Sequence, residues 1–434
     1  MPLWWTKFLI RSGLYRFSSR FRARVTAVEE QLPFLSDRVL TAPFPMLFDD
    51  ALLPDLHGPD TIHLAQSEPK CPFYLNAKIA TSENHFHPQG LPELRHQIAE
   101  QTSGENGRRL SQREVLITSG ATGALATVLD SFINPGDRVV LFDPTSPIFA
   151  IGLTHRRARI HHLSTWMEEG KIRFDVERFR AALRGAKMLV MSDPVNPTGG
   201  VFSQEDLEQI AFWSKKANVL IYLDESFRHF RFDSTPPLFA SLPHCQNRIL
   251  SCGSVSKSFG LSHLRVGWLT GCSALIQICN LTASLQGSWP SLVSQQLALQ
   301  CLSQGSEKVH EMSAQLKNRR QYVFDRLRLM GLNPLWPGGG FFFWMPVDSL
   351  GMDGRAFSRE LLLQKRVLVN AGEPFGPSGK NFIRLSYVLE EGRLREGLHR
   401  LIEFVNERNE KMRSEHSRGA RVRDPSLRNF TPLG

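Results

Sequence analysis

Between residues 92 and 303 the chain alternates short apolar runs with longer stretches in which apolar positions recur every three or four residues. This is the pattern of buried strands separated by amphipathic helices. The runs predict strands over 115–118, 138–142, 188–191, 219–223, 248–251 and 266–270. Strand and helix in alternation fold as α/β layers, so 92–303 is expected to be a large domain on a mainly parallel, doubly wound sheet. Residues 304–410 read as a smaller α+β domain that opens with a long helical stretch over 307–330. Residues 31–91 read as an N-terminal arm and part of that small domain. In the first 30 residues Ile10, Leu14, Phe17, Phe21 and Val25 fall at helical spacing with arginines between them, a basic amphipathic segment. Residues 411–434 are polar and arginine-rich, and read as a disordered tail.

Three polar clusters sit where apolar runs end, and open α/β sheets place their ligands at the carboxyl ends of strands. The first is Ser192-Asp193-Pro194-Val195-Asn196-Pro197, and the second is Asp224-Glu225-Ser226-Phe227. The third is Ser254-Val255-Ser256-Lys257-Ser258-Phe259-Gly260, followed by Arg265-Val266-Gly267. A lysine between small hydroxyl residues, with an arginine at a fixed interval, suits a Schiff-base anchor for an aldehyde that carries a phosphate. A surface lysine among serines gives the same short string, and an aspartate ending an apolar run also reads as a helix cap. The company of the three clusters separates these readings.

In that order the motifs resemble the pyridoxal-phosphate enzymes of the class I/II aminotransferase family, fold type I, over roughly residues 62–406. The resemblance implies a Schiff base at Lys257, with Ser254, Ser256 and Arg265 around the cofactor's phosphate. It implies a phosphate turn at Gly120, Ala121 and Thr122, where a strand ends and a helix N-terminus faces the anion. Asn196 would donate to the ring oxygen. Asp224 would pair with the protonated pyridine nitrogen and, with Lys257, act in catalysis. Arg384, in Asn381-Phe382-Ile383-Arg384-Leu385-Ser386, would grip the substrate α-carboxylate with its planar fork. Ser67, in Leu64-Ala65-Gln66-Ser67-Glu68-Pro69, lies on the strand that borders the substrate in the family. Glu68 beside it reads either as a cap or as a selector for basic substrates. The family generally forms homodimers, so a homodimer is expected.

Three positions depart from the family pattern. Ser146 stands where relatives carry a ring-stacking aromatic, and Phe227 stands where they carry a tyrosine hydroxyl bonded to the ring oxygen. His85 lies where a partner subunit usually sends a tyrosine to the phosphate. These departures keep two chemistries open. One is transfer of an amino group between an α-amino acid and a 2-oxo acid; the other is a non-transaminating amino-acid decarboxylase, cyclase, lyase or oxidase of the same fold.

Composition narrows the partners. The net charge of +10 suggests nucleic acid, but residues 1–28 hold six basic and no acidic residues, and 411–434 hold six basic against two acidic. Removing these from the 52 basic and 42 acidic residues leaves 40 of each, so the core is neutral and no nucleic-acid partner is expected. The basic first segment fits packing on the fold or a partner subunit, peripheral contact with a membrane, or organelle targeting. Six cysteines without CxxC spacing argue for a reducing, cytoplasmic setting and against a metal site.

Overall fold

The computed structural model describes residues 60–72, 87–106, 109–233, 245, 247–287 and 289–422. His85 and the basic segment 1–28 lie outside the described residues. In chain order the strands are β1 (Ile62–His63), β2 (Val115–Ser119), β3 (Arg138–Asp143), β4 (Arg159–Glu168), β5 (Lys171–Phe174), β6 (Ala186–Ser192) and β7 (Leu220–Asp224). They continue as β8 (Ile249–Ser254), β9 (Val266–Gly271), β10 (Phe342–Pro346), β11 (Val367–Leu368), β12 (Asn370–Ala371) and β13 (Phe382–Ser386).

Eight strands form the large sheet in the order β2-β9-β8-β7-β6-β3-β4-β5. The run β8-β7-β6-β3-β4 is parallel. Strand β9 runs antiparallel to both β2 and β8, and β5 is antiparallel to β4 at the edge. All six predicted strands are present. Strands β4 and β5 carry no apolar run: of the ten residues in β4 only Leu163 is buried, because the strand stands near the sheet edge with much of its length facing solvent. A strand covered on one side only gives no continuous hydrophobic signal.

Apolar side chains cover both faces of this sheet, one cluster around Phe142, Leu189 and Ile221 and another around Leu141, Val190 and Tyr222. Successive residues of one strand therefore feed opposite cores, which explains why β3 and β6 read as uninterrupted apolar runs.

The small domain holds the antiparallel sheet β10-β13-β12 and the parallel pair β1-β11. Because β1 pairs with β11, and Ile62 and Leu64 enter the small-domain core, the chain ahead of residue 92 belongs in part to this domain. The long helix Ser306–Leu329 contributes Leu316, Val323 and Leu327 to the same core. One boundary differs from expectation: the last helix runs Glu391–Val422, so the chain is helical well past residue 410. Leu394, Leu398, Leu401 and Val405 recur at helical spacing and anchor its first turns in the core, and helix then continues through polar residues that a composition argument assigns to a tail.

Leu189, fully buried in the central strand β6, should be costly to truncate. Leu189→Ala is expected to lower stability by about 2–5 kcal/mol, read as a lower urea midpoint; an unchanged midpoint contradicts the central placement.

Candidate active site

The carboxyl ends of β6, β7 and β8 deliver Asn196, Asp224 and Lys257 to one edge of the sheet. Lys257 sits in the short helix Val255–Ser258 that follows β8, and its Nζ donates to the Ser67 carbonyl at 2.6 Å. Burial pushes its amine down to about 8; Glu68 and Asp224 act to raise it, and Arg384 and Arg265 act to lower it. A lysine of ordinary basicity would be an inert cation at this position, whereas a lowered one supplies a neutral nucleophile near neutral pH.

Arg384 reaches the same space from β13. Its Nη1 donates to Asn196 Oδ1 at 2.9 Å, and its Nη2 donates to the Ala65 carbonyl at 3.2 Å, Ser67 Oγ at 2.9 Å and Asn370 Oδ1 at 2.5 Å. The guanidinium lies 4.2 Å from the Phe342 ring centre and 5.0 Å from that of Phe375. Burial alone, with no carboxylate among the described residues opposing it, brings it down to about 9. A buried cation surrounded by neutral acceptors is prepared for an incoming anion.

Two strands from β8 in the sheet the sequence Ser119-Gly120 turns β2 into the helix Gly120–Phe132, whose N-cap Ser119 makes no side-chain capping bond. The N–H groups of Gly120, Ala121 and Thr122 are therefore available to an anion. Gly120 has φ +70, and a β-carbon there would lie 2.5 Å from Arg265 Nη2. Gly267 lets β9 pass this turn, since its β-carbon would come within 2.5 Å of the Gly120 carbonyl carbon. Arg265, exposed and left-handed at φ 55, is bonded to the carbonyls of Ser262 at 3.1 Å and Ser119 at 3.4 Å. Ser254 and Ser256 are buried on either side of Val255 at the end of β8.

A family model described as aminotransferase class I and II matches residues 53–401, well over half of the chain. The chain belongs to the class I and II aminotransferase family. An aspartate aminotransferase of Pyrococcus abyssi is 28% identical over 341 residues, covering 77% of this chain and 87% of that protein. An arginine–pyruvate transaminase of Pseudomonas aeruginosa is 29% identical over 330 residues, or 75% of this chain and 84% of that one. The solved structure of an aspartate aminotransferase from Thermotoga maritima matches with a TM-score of 0.77 at 26% identity, covering 86% of this chain and 100% of that one. These relatives support transamination with pyridoxal phosphate and not the decarboxylase, cyclase, lyase or oxidase alternative.

The residues of this aminotransferase fit pyridoxal phosphate. The uncapped helix start, the glycine-only turn and Arg265 make an anion cradle. Asp224 is a half-buried carboxyl raised by desolvation, with Ser226 N–H donating to it at 2.9 Å, and it suits a pairing with a protonated ring nitrogen.

Other positions resolve differently. Ser146 is the N-cap residue of the helix Pro147–His155. Phe227 is 7% exposed and meets the Phe341 and Phe342 rings edge-on at 5.3 and 5.6 Å. Glu68 accepts from Ser262 N–H at 2.9 Å at the start of the turn Ser262–Leu264, as the capping reading expects. Sequence reasoning missed Asn370, Phe342 and Phe375 around Arg384. An asparagine inside the apolar stretch 367–371 was the available signal, because a polar side chain on a buried strand needs a partner.

Two outcomes test this aminotransferase site. Gly267→Ala should displace the phosphate turn and lose bound cofactor absorbance while the chain stays folded; full retention contradicts the cradle. The rate at which cofactor-free protein takes up pyridoxal phosphate should rise with pH through about 8 and then level, because Lys257 becomes neutral there. A rate still climbing toward 10.5, the ordinary lysine value, contradicts the lowered amine.

Proposed function

We propose that this enzyme moves an amino group between an α-amino acid and a 2-oxo acid, with Arg384 holding the α-carboxylate and Lys257 moving the α-proton. The observation that carries this reading is Ser67, whose carbonyl accepts from Lys257 at 2.6 Å and whose hydroxyl accepts from Arg384 at 2.9 Å. One residue spaces the base and the carboxylate clamp on a common edge, and an α-amino acid needs the two groups that close together.

Pyridoxal phosphate, when bound, supplies the electron sink for bond breaking at the substrate α-carbon. The chain's residues do the rest. Incoming carboxylate oxygens replace Asn196 and Ser67 as acceptors for the Arg384 fork, which is already oriented by Asn370 and by the rings of Phe342 and Phe375. The neutral Lys257 amine takes the proton from the substrate α-carbon and returns a proton as a general acid. Asp224 would keep a proton on the ring nitrogen through a charge-assisted bond. Asn196 and Ser146 would border the ring, while Gly120, Ala121, Thr122, Ser254, Ser256 and Arg265 would hold the phosphate.

The reading extends to a homodimer in a cytoplasmic setting. Support for the first is the stripe Ile278, Leu281 and Leu285 on the helix Ser273–Gln286, exposed at 46%, 66% and 83%. Support for the second is that none of the six cysteines forms a disulfide. Among the described residues no helix is long and apolar enough to cross a membrane.

Holoenzyme mixed with single amino acids and no oxo acid should release one equivalent of 2-oxo acid per subunit and stop, then resume when a 2-oxo acid is added. Carbon dioxide release or sustained turnover without acceptor overturns the proposal. Lys257→Ala should slow the α-proton step by at least about 10²–10⁴-fold, the usual range for a lost general base.

A further inference from the structure

We propose that Asp143 is a positioning residue for the substrate carboxylate, tying the small-domain turn that carries Phe375 to the cofactor-bearing sheet. The inference rests on the reading of Arg384 as the carboxylate site. Asp143 ends β3 in the large domain and is 2% exposed. Its side-chain partners lie in the other domain: Ser378 Oγ donates to Oδ1 at 3.0 Å, and Ser378 N–H donates to Oδ2 at 3.1 Å. Two residues on, Thr145 N–H donates to the Phe375 carbonyl at 2.8 Å. The large-domain stretch 143–145 and the small-domain stretch 375–378 are thus stitched by both backbone and carboxylate.

Gly376 shows that this approach is built in. Its φ is +138, and a β-carbon there would overlap Asp143 Oδ1. Only glycine lets the carboxylate reach across to Ser378. The consequence falls on Arg384. Phe375 is 2% exposed, with its ring centre 5.0 Å from the guanidinium and 5.7 Å from the Trp344 ring, so its place is fixed by the turn that Asp143 holds. Trp344, which packs on Phe375, sits opposite Arg384 in the register of β10 and β13, so movement of this turn shifts Phe375 away from the fork and loosens its contact with β10. Burial raises the Asp143 carboxyl while the Ser378 donors and nearby His162 oppose the rise, which fits a carboxylate whose ionised form depends on the turn staying docked.

The test compares wild-type, Asp143→Asn and Ser378→Ala holoenzymes in three measurements. These are the Kd for propionate, followed through the absorbance of bound cofactor; kcat and KM for a working amino acid; and deuterium uptake over residues 373–381. The expected result is a rise of about tenfold in propionate Kd and KM for Asp143→Asn, a smaller rise for Ser378→Ala, faster uptake over 373–381 in both, and kcat changed far less than KM. Unchanged propionate affinity in both folded variants overturns the proposal. So does weaker binding without faster uptake in the turn. Should Asp143→Asn fail to fold, Ser378→Ala decides by the same two readings. Wild-type enzyme that does not bind propionate removes the Arg384 reading itself, a result distinct from wild type and variants binding alike.

Discussion

Burying a guanidinium without a counter-ion costs several kcal/mol unless its N–H groups find acceptors. Arg384 recovers most of that cost through its two Nη groups, from the Ala65 carbonyl, Ser67, Asn196 and Asn370, and from two aromatic faces, while its Nε has no acceptor among the described residues. These acceptors come from distant parts of the chain: the segment after β1, the loop after β6, and β12. Satisfying one cation therefore forces the N-terminal segment, the large sheet and the small domain to meet at one point. The architecture around the site follows from that requirement, since β1 must join β11 for Ala65 and Ser67 to arrive, and β12 must lie beside β13 for Asn370 to pair with Arg384. None of the acceptors carries charge, so the favourable field at the fork is left for a substrate carboxylate.

The second constraint is close approach of backbone to an anion. At Gly120, Gly267 and Arg265 the chain adopts left-handed geometry or passes another strand with no room for a β-carbon. Reversal of β9 serves this crowding: by running antiparallel between β2 and β8 it brings Gly267 against Gly120 at one end of the sheet. The parallel run β8-β7-β6 then places Lys257, Asp224 and Asn196 at the same end. The phosphate cradle and the groups that act on the substrate are thus set by strand direction before any side chain is considered.

Much of this was legible from residue order, because each motif combines an apolar run with a polar end, and both signals survive in a single sequence. Lys257, Asp224, Asn196, Arg384 and the Gly120 turn were all readable in that way. Strands β4 and β5 were not, since a strand with one covered face lacks the run that marks its neighbours. Asn370 was hidden by its surroundings: an asparagine in an apolar strand shows a need for a partner without showing which partner. Phe375 and Asp143 were hidden for a different reason, as their importance arises only when two domains dock. The helical chain beyond residue 410 shows the limit of composition, because its apolar anchor lies upstream of the polar residues it carries.

Phe227 shows how a departure from family pattern can be absorbed. A tyrosine at this place would offer a hydroxyl to the cofactor ring; phenylalanine offers none, and its ring meets Phe341 and Phe342 edge-on. Phe342 in turn lies 4.2 Å beneath Arg384. The Phe227 ring thus supports the aromatic face that packs on Arg384, and edge-to-face pairs of this kind contribute about 0.5–1.5 kcal/mol beyond burial. Removing the hydroxyl also frees the site of a polar atom that would need a partner inside an apolar cluster. What the change removes is a hydroxyl donor, and Asn196, proposed as the donor to the ring oxygen, is itself bonded to Arg384 at 2.9 Å. Because the Asn196 oxygen accepts from Arg384 while its amide N–H groups remain donors, the same side chain can hold the clamp and face the ring in the proposed site.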